Sequence, residues 1–274
     1  MSSSNKGQPV IFLPHGGGPC FFMEWTWGPA DTWERTRGFL EGLSASLPEK
    51  PKALLVVSGH WEEAAFTVSA AERPGLIFDY TGFPENTYKL TWPAPGDPAL
   101  ATRVVGLLKG ARLPAAVSPS RGFDHGVFVP LKVAFPEAEI PVVALSLAAG
   151  RAGELDPVLH LAAGRALEPL RDEGVLIVAS GMSFHNLGAY MRPGTPELAR
   201  EFDGWLTRSV ESPAAERAGL LERWERAPYA RFAHPREEHL IPLMVAAGAG
   251  GDGPGKQIFS DEPMGAAISA YRFE

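Results

Sequence analysis

Seven histidines are spread along the 274 residues, and three of them share a local grammar. An apolar run, Ala53-Leu54-Leu55-Val56-Val57, ends in Ser58-Gly59 and then His60. Val10-Ile11-Phe12-Leu13 leads to Pro14-His15-Gly16-Gly17-Gly18. Val175-Leu176-Ile177-Val178-Ala179 leads to Ser180-Gly181-Met182-Ser183-Phe184-His185-Asn186. Each run reads as a buried strand, and in open α/β sheets ligands gather just past the carboxyl ends of strands. Three strands delivering a histidine each to one rim is how a metal site is assembled from distant parts of a chain. His234 and His239, beside Glu237 and Glu238, offer further ligands. Imidazole and carboxylate together suit iron(II), zinc or manganese, and three protein ligands leave positions open for substrate. The single cysteine, Cys20, excludes an internal disulfide and a thiolate-rich cluster, so any bound metal takes nitrogen and oxygen ligands. Cys20 itself is expected to be packed or exposed and not a ligand.

The elements that must position these residues alternate along the chain. Strands are expected at about 9–13, from Ala53 to an end at His60, at Phe66–Ser69 pairing beside the second strand, at Ile140–Leu147 and before His185. Ile258-Phe259 and Ala267–Tyr271 read as closing strands. Asp31 is the expected N-cap of a helix reaching Leu47, and Asp97 caps another that opens on Pro98 and runs to Lys109. Ser120–Gly126 reads as a polar loop holding His125, with a short helix opening at Pro130. Leu155–Arg171 is an amphipathic helix, which makes its His160 a surface or packing residue. Helices follow at 196–209 and 214–224, and one more is entered through Phe232–Leu240. The fold expected is α/β: a single domain, residues 1–274, with a central mixed, largely parallel sheet flanked by helices. Trp61, Tyr88 and Trp92 are read either as flanking a bound substrate or as plain core.

Composition narrows the function classes. A formal net charge of −7 with no basic cluster argues against a nucleic-acid surface. No apolar run approaches the roughly 18 residues that cross a bilayer. Met1 to Lys6 is polar and lacks the apolar core of a secretory signal, so a cytoplasmic enzyme is expected. Gly16-Gly17-Gly18 is not a phosphate loop, because the Lys-Ser/Thr ending is missing. Nothing in the sequence fixes the oligomeric state; a homo-oligomer is compatible with it.

Five segments taken in order carry a family resemblance: Leu13-Pro14-His15-Gly16, Ser58-Gly59-His60-Trp61, Phe123-Asp124-His125-Gly126, Ser180 to Leu187, and His234-Pro235-Arg236-Glu237-Glu238-His239. Together they closely resemble the class III extradiol ring-cleavage dioxygenases, nearest to the DOPA-dioxygenase-like branch. The Tyr88–Gly96 stretch is similar to a Tyr-x-x-x-Tyr/Trp-Pro-Ala-Pro-Gly segment of that branch. The resemblance implies that His15 and His60 are metal ligands and that His239 is the third, with Glu238 as its rival. It implies that His185 is the acid/base and that His125 contacts substrate or oxygen. His234 is then a structural or supporting residue. One position departs: relatives often read His-Gly-Ser-Pro where this chain has His15-Gly16-Gly17-Gly18-Pro19, so that hydroxyl is missing here.

The implied activity is opening of a catechol-type ring with O2, with Fe(2+) as the active ion and Zn(2+) as another ion the same ligands accept. An imidazole suits the proton transfers, because its ordinary pKa lies near physiological pH. A zinc hydrolase and a non-catalytic metal- or peptide-binding relative are the alternatives. A pure binding module has no use for His125 and His185 beyond three ligands.

Overall fold

The computed structural model describes residues 7–274, so the reading of Met1 to Lys6 falls outside the described residues. Eight strands form one sheet: β1 (Val10–Pro14), β2 (Ala53–Glu63), β3 (Phe66–Ser69), β4 (Ala115–Ser118), β5 (Val142–Ala148), β6 (Val175–Gly181), β7 (Gly255–Asp261) and β8 (Ile268–Phe273). Their order is β4-β3-β5-β2-β6-β1-β8-β7. The centre, β5-β2-β6-β1, is parallel, and antiparallel pairs join β8 to β1, β7 to β8 and β3 to β5. The architecture is the expected mixed, largely parallel sheet in a single α/β domain.

β1, β5 and β6 are buried along their whole length, because helices cover both faces of the sheet. The helices are α1 (Glu34–Leu43), α2 (Pro98–Gly110), α3 (His125–Ala134), α4 (Pro157–Leu167), α5 (Thr195–Glu211), α6 (Ala214–Leu221), α7 (Ala230–Ala233) and α8 (Ile241–Ala249). Asp97 caps α2 as expected: its side chain accepts from Leu100 N–H and Pro98 occupies the first turn.

Four expectations change. α1 starts at Glu34 and not after an Asp31 cap, because the Asp31 carbonyl closes a tight turn onto Glu34 N–H first. β3 does not pair beside β2, whose two edges are already taken by β5 and β6; it pairs with β5 and β4. β4 itself, a short half-exposed edge strand, has no strong sequence signal. β2 does not end at His60. It continues to Glu63, and its pairing with β5 jumps from Val57↔Leu145 to Glu62↔Leu147. That bulge frees residues 58–61 from β5 and re-aims His60.

The fourth change concerns His125, which is the first residue of α3 and not a loop residue. Asp124 is the cap, accepting from Val127 N–H, and Pro130 lies inside the helix instead of opening it. A proline there has no N–H for the carbonyl of Gly126, four residues back. The Ser180 hydroxyl, at the end of β6, donates to that carbonyl instead. On the neighbouring strand, the Ser58 hydroxyl donates to Asp124 Oδ1 at 2.7 Å. The serines of the two Ser-Gly pairs thus pin the start of α3 to the sheet.

Candidate metal centre

Register alone brings the first two histidines together. Ser180 of β6 pairs with Leu13 of β1 on one side and with Ser58 of β2 on the other. His15 and His60 each lie two residues further on. They flank β6 across two strand spacings, about 10 Å, which two imidazoles can close.

The glycines bring in the third. A Cβ at Gly181 would lie 2.1 Å from the His239 carbonyl oxygen, and one at Gly59 would lie 3.0 Å from that of Glu238. Without side chains at those strand ends, the 238–239 backbone rests on the sheet rim. Met182 N–H donates to the His239 carbonyl at 3.0 Å and secures it there.

The result is a convergence of Nε2 atoms. Those of His15 and His239 lie 3.2 Å and 3.1 Å from that of His60. Behind them, His15 Nδ1–H donates to the Gly16 carbonyl and His239 Nδ1–H to Glu238 Oε1, both at 2.9 Å. Those bonds leave the Nε2 lone pairs of His15 and His239 facing inward. Burial, reinforced by the neighbouring imidazoles, lowers all three pKa values; that of His239 falls to about 4. Three neutral imidazoles therefore present nitrogen to one point. A single proton on His60 could not bridge both contacts at full strength, but a cation could. Zinc-like bonds of 2.0–2.1 Å would set such nitrogens about 2.9–3.4 Å apart, which is the spacing of both pairs that include His60.

Two further histidines stand beside this cluster. His185 stacks on His239 with ring centroids 3.4 Å apart, and its Nδ1 lies 3.3 Å from Glu238 Oε1. His125 lies against His60 at 3.8 Å between centroids. Its backbone N–H donates to Asp79 Oδ1 at 2.8 Å, and its ring Nδ1 lies 2.9 Å from the same oxygen. Asp79 Oδ2 also faces His60 Nδ1 at 3.6 Å. Burial alone would raise the Asp79 and Glu238 carboxyls. Contacts from His125, and from His185 and His239 respectively, outweigh burial and hold both below the usual range. Glu238 thus stands behind the imidazoles, while His239 faces the convergence point. His15-His60-His239, His60-Asp79-His125 and His185-Glu238-His239 are the donor groups whose atoms could share an ion.

The remaining histidines are structural. His160 is fully buried, accepting from Ala148 N–H and donating to the Asp156 carbonyl. His234 is buried too, with Nε2 against the Ser183 carbonyl at 2.9 Å. Cys20 is buried, and burial pushes its thiol well up, so it packs as a neutral group.

A cavity of about 560 Å³ opens from the histidines. Its aromatic walls are Trp25, Trp27, Trp33, Tyr80, Phe83 and Tyr190. Trp61, Tyr88 and Trp92 do not line it. Trp92 is core and donates to the Phe135 carbonyl, Trp61 lies under Arg121, and Tyr88 packs behind Tyr80. The signal for the true walls was the aromatic Trp25-Thr26-Trp27 segment ten residues after His15, which periodicity could not place. Tyr80 is a wall and not a base: burial pushes its phenol up to about 12, and its hydroxyl donates to the Thr87 carbonyl.

Residues 9–273 match the family model described as the catalytic LigB subunit of aromatic ring-opening dioxygenase. The chain belongs to that family. This ring-opening dioxygenase is 38% identical over 280 residues to the dioxygenase tasH of Hapsidospora irregularis, covering 96% of this chain and 84% of the relative. It is 42% identical over 247 residues to a 4,5-DOPA dioxygenase extradiol of Portulaca grandiflora, covering 88% and 86%. An uncharacterized protein from Escherichia coli K12, of known crystal structure, superposes with a TM-score of 0.74 at 29% identity, over 97% of this chain and all of the other. The dioxygenase is metal-dependent, cleaves its ring in the extradiol manner and acts on a small aromatic molecule with O2; the hydrolase and binding-only alternatives are not favoured. Among the described residues no helix is long and apolar enough to cross a membrane.

Proposed function

We propose that the chain opens catechol-type rings with ferrous iron held by His15, His60 and His239, in the cytoplasm. The observation that carries this reading is the placing of the His15 and His239 Nε2 atoms at 3.2 Å and 3.1 Å from that of His60, with the outer nitrogens of all three rings turned to oxygen acceptors. The donor set accepts zinc as well, so a purified sample can hold the wrong ion. When bound, a ferrous ion would supply Lewis acidity towards the diol and a path for electron density to O2.

The chain supplies the rest. His185 takes the proton that the diol gives up on binding. Its Nδ1 faces the Glu238 carboxylate, which supports the positive charge that forms, while Nε2, across the ring, handles the proton. The same imidazolium returns the proton as the ring opens. His125 is anchored by Asp79 at the start of α3 and offers a second imidazole against oxygen atoms of the substrate. The aromatic walls hold the ring plane and exclude water.

The test is anaerobic loading with iron(II), addition of 4-methylcatechol, and then admission of O2. A yellow ring-fission product that requires both iron and oxygen is expected. His185→Ala should keep its iron yet lose about 10²–10⁴-fold in kcat. Ring opening by that variant at the wild-type rate would remove the acid/base assignment, and turnover with zinc in the absence of oxygen would overturn the reaction.

A further inference from the structure

Apart from its imidazoles, the cavity that serves the histidines is lined by no acidic or basic side chain: among its described lining residues there is no Lys, Arg, Asp or Glu. Asp79 and Glu238 lie behind the imidazoles and are engaged with them. The walls away from the histidines are Trp25, Trp27, Trp33, Tyr80 and Phe83, with Thr81 and with Tyr190, whose hydroxyl donates to the Phe184 carbonyl. The mouth carries Leu187, Met191 and Met264.

That mouth is apolar even where it meets solvent. Leu187 is 73% exposed, Met191 63% and Trp27 47%. These are three of the few large apolar side chains that the described surface exposes, and all three lie at this one opening. Met191 and Met264 are held there by a backbone hydrogen bond, Met191 N–H to the Met264 carbonyl at 2.9 Å. Both adopt left-handed backbone, with φ of 60° and 52°, an uncommon state for a long side chain. Charged groups begin only beyond this methionine pair, where Arg35, Arg192 and Glu197 line the neighbouring cavity.

We propose that the preferred substrate is a catechol bearing an uncharged, apolar substituent that leaves the ring along Trp27, Leu187 and Met191. This rests on the ring-opening function above and deepens it by naming the substituent. A short carboxylate or ammonium tail on the ring would lose its hydration in this cavity and find no counter-charge. An alkyl or aryl tail exchanges water for aromatic and thioether surface.

The probes are 4-methylcatechol, 4-butylcatechol and 3,4-dihydroxyphenylalanine, used in two measurements. The first is kcat/KM of the iron-loaded enzyme. The second is equilibrium binding to the metal-free protein, read from quenching of the tryptophans that line the cavity. The butyl compound should exceed the methyl compound by about fourfold per added methylene that is buried, and the amino acid should fall below both. Leu187→Arg, at an exposed position, should narrow or reverse the order between butylcatechol and the amino acid in both measurements. Equal or better binding and turnover of the amino acid by the unaltered protein would overturn the proposal. The two readings fail separately. If no catechol is opened but butylcatechol still binds best, the reaction falls and the apolar preference stands. If all three open with the amino acid favoured, the reaction stands and the preference falls.

Discussion

His185 lies face to face with His239, 19° from parallel, and both imidazoles turn Nδ1 to one oxygen of Glu238. One carboxylate therefore serves a ring that points at the proposed metal position and a ring that faces the cavity. Glu238→Gln keeps the shape and removes the charge. It should weaken metal binding by about 10–100-fold and also lower kcat at saturating metal. Competition with a chromophoric chelator and steady-state kinetics at high iron separate the two effects. A variant that loses metal as completely as His239→Ala would show that Glu238 is itself a ligand.

Ser180 and Pro130 form a second coupled pair, because the proline creates the free carbonyl at Gly126 that the serine satisfies. Ser180→Ala should cost about 1–3 kcal/mol by stranding a buried acceptor. In the double variant with Pro130→Ala, the restored helical N–H should recover part of that loss. Urea unfolding of the four proteins gives the coupling, and strict additivity would contradict it.

Gly181 has no room for a side chain: its Cβ would lie 2.1 Å from the His239 carbonyl. Gly181→Ala should push the 238–239 backbone off the sheet rim. The expected result is a loss of metal affinity larger than the accompanying loss of stability would suggest, about 1–3 kcal/mol for an overpacked site. Calorimetric metal titration beside thermal unfolding checks it. Unchanged affinity would mean that the third histidine is not positioned by this contact.

His160 makes a prediction about pH. Burial lowers its pKa to about 4. At pH above about 6.5 it is neutral in both folded and unfolded chains and contributes no pH dependence. As pH falls from 6.5 towards 4, the unfolded chain takes up a proton that the folded chain refuses, so stability is lost across that window. The slope from this residue is about 1.4 kcal/mol per pH unit. His160→Gln should flatten the stability profile between those limits, measured by denaturant unfolding at several pH values. An unchanged slope would show that the ring is protonated in the folded state.

Much of this was legible in the chain, and the gaps have physical causes. Apolar runs ending in Ser-Gly or Pro-His marked β1, β2 and β6, because a strand buried on both faces must be continuously apolar. The same signal could not show that β2 runs past His60, since its bulge depends on pairing with β5. Asp79 and the cavity walls Trp25, Trp27, Tyr80 and Phe83 lie on loops without periodicity, and only tertiary contact places them. Pro130 misled because a proline usually opens a helix. Here Ser180, fifty residues away in sequence, makes its interior position tolerable.

The central claim is tested most directly by anomalous diffraction at the iron edge from crystals of the protein loaded anaerobically with iron(II). One peak is expected, about 2.0–2.2 Å from each Nε2 of His15, His60 and His239. A peak held instead by His185 with Glu238, or by Asp79 with His125, or no peak among these histidines, would contradict it.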